Sequence, residues 1–262
     1  MYHEAIEAQG FQGRIAGLRS IKRWKSFSPA WYRHDLEMHT LELRYLLEAV
    51  APHIRQTLPG FNFERAGIIA LVHDDPEIVS KNGDVELNVK LNMSPQELVQ
   101  LEQEESEAIK TLLARWPQTV QGYNYQSLLE EAKKKATIET QVLSYLDKCS
   151  ALCESLHELY AGNNQFHHNW RAERKRPPYA GTNVAELVEK YTLISPFFAK
   201  KHPFLPPFSK PDVESLLKTQ KPHTSQSLTQ PTGLPQYDFW KATILKHAPE
   251  DGARWLTKQR EV

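Results

Sequence analysis

Apolar residues recur at intervals of three and four along much of the first 160 positions, the pattern of helices that bury one face and show the other to water. From Trp31 to about Arg55 the buried stripe is Leu36, Leu43, Leu47, Val50 and Ile54, with Glu37, Glu42, Arg44 and Glu48 between; this predicts a long amphipathic helix closed by the turn Pro59-Gly60. The run Ile68 to Val72 has no polar face and predicts a buried helix, which Pro76 stops or kinks near Asp74 because proline biases Asp75 away from helical geometry. Ser94-Pro95-Gln96-Glu97 reads as a helix start, with serine at the cap, proline at the first position and glutamate three after the cap. That helix runs to about Trp116, and its Glu102, Glu104, Glu105 and Glu107 read as a solvated face. A further helical stretch spans about Tyr125 to Tyr160, broken near Lys133-Lys134-Lys135 and stopped at Gly162-Asn163-Asn164. Short helices are expected near Val184–Ile194 and Tyr237–His247, flanking an extended segment rich in Pro, Ser, Thr and Lys from Pro203 to Pro235. No stretch alternates as a strand would. The expected fold is all-α, an orthogonal helical bundle.

Composition narrows the function classes more than the fold. Lys plus Arg equals Asp plus Glu at 32 each, so no global field favours polymeric nucleic acid or an acidic membrane, and an anionic ligand must be captured locally. No run of about 18 apolar residues is present, which excludes a membrane span of that kind. Met1-Tyr2-His3-Glu4-Ala5 lacks the layout of a secretory signal. Cys149 and Cys153, four apart in a helical segment, read as core thiols of a reducing compartment, and a cytoplasmic location is expected.

The candidate chemistry starts where the buried run Ile68–Val72 delivers His73 and Asp74. Neighbouring imidazole and carboxylate groups at a buried helix end are costly to desolvate unless paired. A divalent metal pairs them well; so does an ordinary hydrogen bond from the histidine to a helix-end aspartate. His34 lies in the first turn of the predicted Trp31–Arg55 helix, whereas His39, five residues on and off the face of His34, reads as a surface or packing histidine. Asp147 interrupts the apolar stretch Val142–Leu152; Lys148 is a poor partner for it, because adjacent helical residues diverge by about 100°. Arg23-Trp24 offers a guanidinium fork beside an indole face, or simply a core tryptophan next to a solvated arginine. Asn82-Gly83 predicts a turn that puts Asp84 on a loop just beyond His73-Asp74, where turn chemistry alone would also explain an aspartate.

Taken in order, His34, His73-Asp74 and Asp147 on three separate helices resemble the HD-domain phosphohydrolases. The similarity is greatest to their bacterial, YfbR-like 5′-deoxynucleotidase branch. It is carried by Ile21-Lys22-Arg23-Trp24, Arg33-His34, His73-Asp74-Asp75-Pro76-Glu77 running into Gly83-Asp84, and Leu146-Asp147-Lys148, over about residues 15 to 162. The resemblance implies one divalent transition metal ion (Mn, Co, Fe or Zn) held by His34, His73, Asp74 and Asp147. It implies nucleotide contacts from Arg23 and Trp24, and acid–base chemistry from Glu77 and Asp84. Ser80-Lys81-Asn82 lengthens the loop before Asp84 relative to the family pattern. The implied reaction removes the 5′-phosphate from (deoxy)nucleoside monophosphates; the alternatives are a triphosphate, an alarmone or a specialised nucleoside phosphate as substrate, or a lapsed nucleotide-binding module. The implied organisation is a phosphohydrolase core over residues 1–162 and a C-terminal extension over 163–262. The resemblance also suggests a homodimer, with a small-molecule nucleotide as substrate and neither membrane nor polymeric nucleic acid as partner.

Overall fold

Ser94 starts a helix as its sequence context requires: its hydroxyl accepts from Glu97 N at 3.3 Å and its own N–H donates to the Glu97 carboxylate at 2.6 Å, a reciprocal cap. The computed structural model describes residues 2–25, 35–85, 87–90, 92–160, 163, 166, 189–205, 229–248 and 255–256. Its helices are α1 (Tyr2–Glu7), α2 (Arg14–Ser20), α3 (Leu36–Thr57), α4 (Phe63–Val72), α5 (Leu87–Lys90), α6 (Pro95–Arg115), α7 (Tyr125–Lys134), α8 (Ile138–Tyr160), α9 (Ser195–Ala199) and α10 (Pro235–His247). Short 3-10 turns occupy Asp75–Ile78 and Thr192–Ile194. The protein is all-α, and among the described residues one small hairpin interrupts the helices. Among the described residues no helix is long and apolar enough to cross a membrane.

The chain forms two compact units. The first comprises Met1–Trp24, His34–Arg44 and Asn62–Thr140; the second comprises Lys25–Arg33, Tyr45–Phe61 and Gln141–Val262.

In the first unit, α3 begins at Leu36, directly after Asp35, whose carboxylate accepts from Met38 N at 3.2 Å. Residues 31–34, where the sequence predicts the start of this helix, lie outside the described residues. Helix α4 is capped by Asn62, which accepts from Arg65 N at 3.0 Å, and buries every residue from Ala66 to Val72. It stops at Val72, two residues before Asp74, and the chain passes into the 3-10 turn with Pro76 at its second position. Helix α2 packs on that turn through Gly17: a Cβ there would sit 2.6 Å from Cγ2 of Ile78, so only glycine allows this approach without a shift. Leu18, Ile21 and Leu36 close a small core against Ile78. Lys135 at φ 53 ends α7 and separates it from α8, at the break the lysine run predicts.

The sequence reading missed the hairpin. Strands β1 (Thr119–Val120) and β2 (Tyr123–Asn124) pair antiparallel around Gln121 and Gly122, at φ 47 and 84. Two left-handed residues in a two-residue loop match the twist of the flanking strands, and Gly122 adopts that conformation freely. Strands of two residues carry too few positions to show any alternation.

The second unit has an aromatic core. Tyr145 meets Phe197 edge-on at 5.7 Å, and its hydroxyl donates to Phe204 O at 2.9 Å. His157 is buried between helices: Nε2 donates to Leu256 O at 2.9 Å and Nδ1 accepts from the Tyr237 hydroxyl at 2.7 Å. Cys149 and Cys153 are buried thiols, as their spacing predicts.

Candidate metal centre

Three side chains of the first unit converge where α4 ends. His73 follows the last helical residue in nearly helical geometry, and its Nδ1–H donates to Ala70 O at 3.0 Å. A carbonyl can only accept, so this bond fixes the tautomer and leaves Nε2 with its lone pair exposed. That nitrogen lies 3.2 Å from Oδ1 of Asp74. From α3, His39 brings Nε2 to 3.7 Å from Oδ2 of the same carboxylate, with the two imidazole centroids 5.8 Å apart. One ligand atom from each of His39, His73 and Asp74 lies within 4.8 Å of the others, and among the described residues this is the group arranged to hold a metal ion. The donor set fits one. Two neutral imidazole nitrogens and a carboxylate oxygen suit Mn, Fe, Co or Zn, and the Nδ1–carbonyl bond is the outer contact that usually orients a ligating histidine.

His39 is a correction to the sequence reading, which took it for a surface or packing residue. It is 1% exposed and faces His73 and Asp74. The signal was present in its register: His39 lies three after Leu36 and four before Leu43, on the buried stripe of the helix rather than beside it. His34 lies outside the described residues.

Asp147, the further ligand that the resemblance implies, lies in the second unit, on α8. Its carboxylate accepts a hydrogen bond from the Lys148 ammonium, which corrects the expectation that these neighbours do not meet. Adjacent Cα–Cβ vectors do diverge, but four methylenes let the lysine fold back across that angle.

Around the cluster stand the groups singled out for acid–base work and substrate contact. Glu77 is half-buried in the 3-10 turn, with its N–H on Asp74 O at 3.0 Å and a buried Oε2 that no described residue hydrogen-bonds. Its carboxyl is pushed well above the usual range, first by burial and then by the negative charges of Asp74 and Asp84, with Lys90 and Arg23 pulling the other way. The charges of Arg23, Asp74 and Asp84 thus all act on Glu77. The loop before Asp84 is anchored by Asn82, whose amide donates to Glu104 at 2.6 Å, and turns at Gly83. Trp24 is 5% exposed and sits at φ 58, a left-handed backbone that costs a large side chain on the order of 1–3 kcal/mol.

The family model described as 5′-deoxynucleotidase YfbR-like matches residues 10–177. Among solved structures, a conserved hypothetical protein from Pyrococcus furiosus is 20% identical, covers 67% of this chain and 96% of its own, and superposes with a TM-score of 0.47. No curated protein matches the chain.

Proposed function

The chain belongs to the YfbR-like 5′-deoxynucleotidase family, and from that premise we propose that it is a metal-dependent phosphohydrolase acting on 5′-(deoxy)nucleoside monophosphates. The observation that supports this reading best is the convergence of His39, His73 and Asp74 beside the buried carboxyl of Glu77. His39, His73 and Asp74 would hold the ion, whose chemistry when bound is to polarise a phosphoryl oxygen and make a water nucleophilic near neutral pH. The resemblance assigns a fourth ligand to Asp147, and that assignment rests on sequence alone.

The chain's own residues divide the remaining work. A phosphate monoester dianion needs a cation to bind it, and the resemblance assigns that role to Arg23, whose charge acts on Glu77. Burial and the charges of Asp74 and Asp84 push the Glu77 carboxyl well above the usual range. Glu77 would orient the attacking water and Asp84 would donate a proton to the departing 5′-oxygen, the roles the resemblance implies. The resemblance assigns contact with sugar and base to Trp24, next to Arg23; packing against C2′ would favour deoxy substrates.

The test is orthophosphate release from a panel of deoxy- and ribonucleoside mono-, di- and triphosphates, using metal-stripped protein with Mn, Co or Zn restored. Metal-dependent release from monophosphates is expected, falling by at least about 100-fold in His39→Ala and in Asp74→Ala, since loss of even an outer-shell partner costs about 10–100-fold. His34→Ala should stay within about threefold of the parent. Loss of activity in His34→Ala but not in His39→Ala would refute the ligand set, and turnover of triphosphates alone would refute the substrate. Asp147→Asn tests the fourth ligand in the same assay.

A further inference from the structure

Directly behind the candidate metal centre, a fully buried arginine meets a fully buried aspartate. Arg14 of α2 donates through Nε to both Asp75 oxygens, at 2.8 and 2.9 Å, with its Nη2 also 2.8 Å from Oδ1. The Tyr125 hydroxyl of α7 donates to Oδ2 at 2.7 Å. Nη2 of the same guanidinium donates to the Leu71 carbonyl, one of the four that the end of α4 leaves without a helical partner. Nη1 donates to Nδ1 of His3 at 2.8 Å. Since that nitrogen accepts, the His3 proton sits on Nε2, which lies 3.1 Å from the Thr40 hydroxyl and 3.2 Å from Glu37 O.

The register of these contacts is what matters. Leu71 stands two residues before His73, and Asp75 one residue after Asp74, so a single guanidinium grips the chain on both sides of the His-Asp pair. Through His3 the same network reaches Thr40, the neighbour of His39. Each candidate ligand therefore has a flanking residue tied to Arg14. A buried ion pair is seldom the most stable filling for such a space, because apolar residues of similar volume serve as well or better. What the pair adds is direction. Its bonds fix the angle at which α4 hands over to the 3-10 turn.

We infer that Arg14 and Asp75, braced by Tyr125 and His3, are positioning residues that set the bite of His39, His73 and Asp74 on the metal ion. The inference rests on the metal-site reading above and concerns affinity and coordination rather than chemistry. Outer-shell groups of this kind typically change metal affinity by about 10–100-fold.

The experiment is titration of metal-stripped protein with Co(II), followed by its visible absorption, with far-UV circular dichroism and thermal melting as controls for folding. The parent should bind one equivalent. The double variant Arg14→Met/Asp75→Leu, which removes both charges together, should remain helical yet bind Co(II) about 10–100-fold more weakly with an altered band shape. Tyr125→Phe removes one hydrogen bond and no charge; it should remain folded and bind at least about threefold more weakly. Arg14→Lys keeps the charge but loses the fork, and should not rescue the parent spectrum. A folded double variant with parent affinity and spectrum would overturn the inference. Should the double variant not fold, an unchanged Tyr125→Phe would do so. If the parent itself takes up no Co(II), the metal-site reading fails, and this one with it.

Discussion

Buried between α1, α2 and α3, His3 makes folding sensitive to acid in a way that can be isolated. Burial first, and the Arg14 charge second, hold its pKa down at about 3, against 6.5 for a free histidine. Between those two values the unfolded chain binds a proton that the folded chain refuses, so stability falls as the pH drops below 6.5 and levels off only near 3. At pH 5 the distance below 6.5 is 1.5 units, which at about 1.36 kcal/mol per unit makes a loss of about 2 kcal/mol. That figure is insensitive to the folded-state pKa, because any value below about 4 leaves His3 neutral at pH 5. At pH 7 the same effect is only about 0.2 kcal/mol. His3→Gln keeps an acceptor for Arg14 and a donor toward Thr40 but cannot be protonated. Urea denaturation of parent and variant at pH 7 and pH 5, both in chelator, gives the difference directly. The parent should lose about 2 kcal/mol more than the variant over that interval. A difference under about 0.5 kcal/mol would show that His3 is not held neutral by its surroundings.

Two other outcomes test the packing around the site and the chemistry of the core. Gly17→Ala should destabilise by about 1–3 kcal/mol through the clash with Ile78, and Ile78→Ala in the same chain should recover part of that loss; strictly additive effects would contradict the close approach. Burial pushes the Cys149 thiol up to about 12, so at pH 8 its thiolate fraction is on the order of 10⁻⁴, and a disulfide reagent should label Cys149 only as the protein unfolds; rapid labelling of native protein would refute this.

What the sequence disclosed was whatever is written in short range. The Ser94 capping box, the stop after Val72 imposed by Pro76, and the break beside Lys135 each depend on residues within a few positions of one another. The His73-Asp74 pair was legible for the same reason. His39 was visible in principle, but helical phase measured from His34 obscured what phase measured from Leu36 reveals. The Asp147–Lys148 bond escaped because backbone direction was allowed to stand for side-chain reach. The Arg14 network could not be read at all. It joins positions 3, 14, 40, 71, 75 and 125, and nothing in their spacing marks them before the chain has folded.

The Arg14–Asp75 pair also constrains how this chain can change over generations. Replacing either partner alone strands a full charge where no water reaches it, a loss of about 3–5 kcal/mol against the 5–15 that typically holds a domain together. A lineage cannot easily cross that gap in two independent steps. The two positions should pass from ancestor to descendant as one character, kept together or exchanged together, with a neutral hydrogen-bonding residue at position 3 following the arginine.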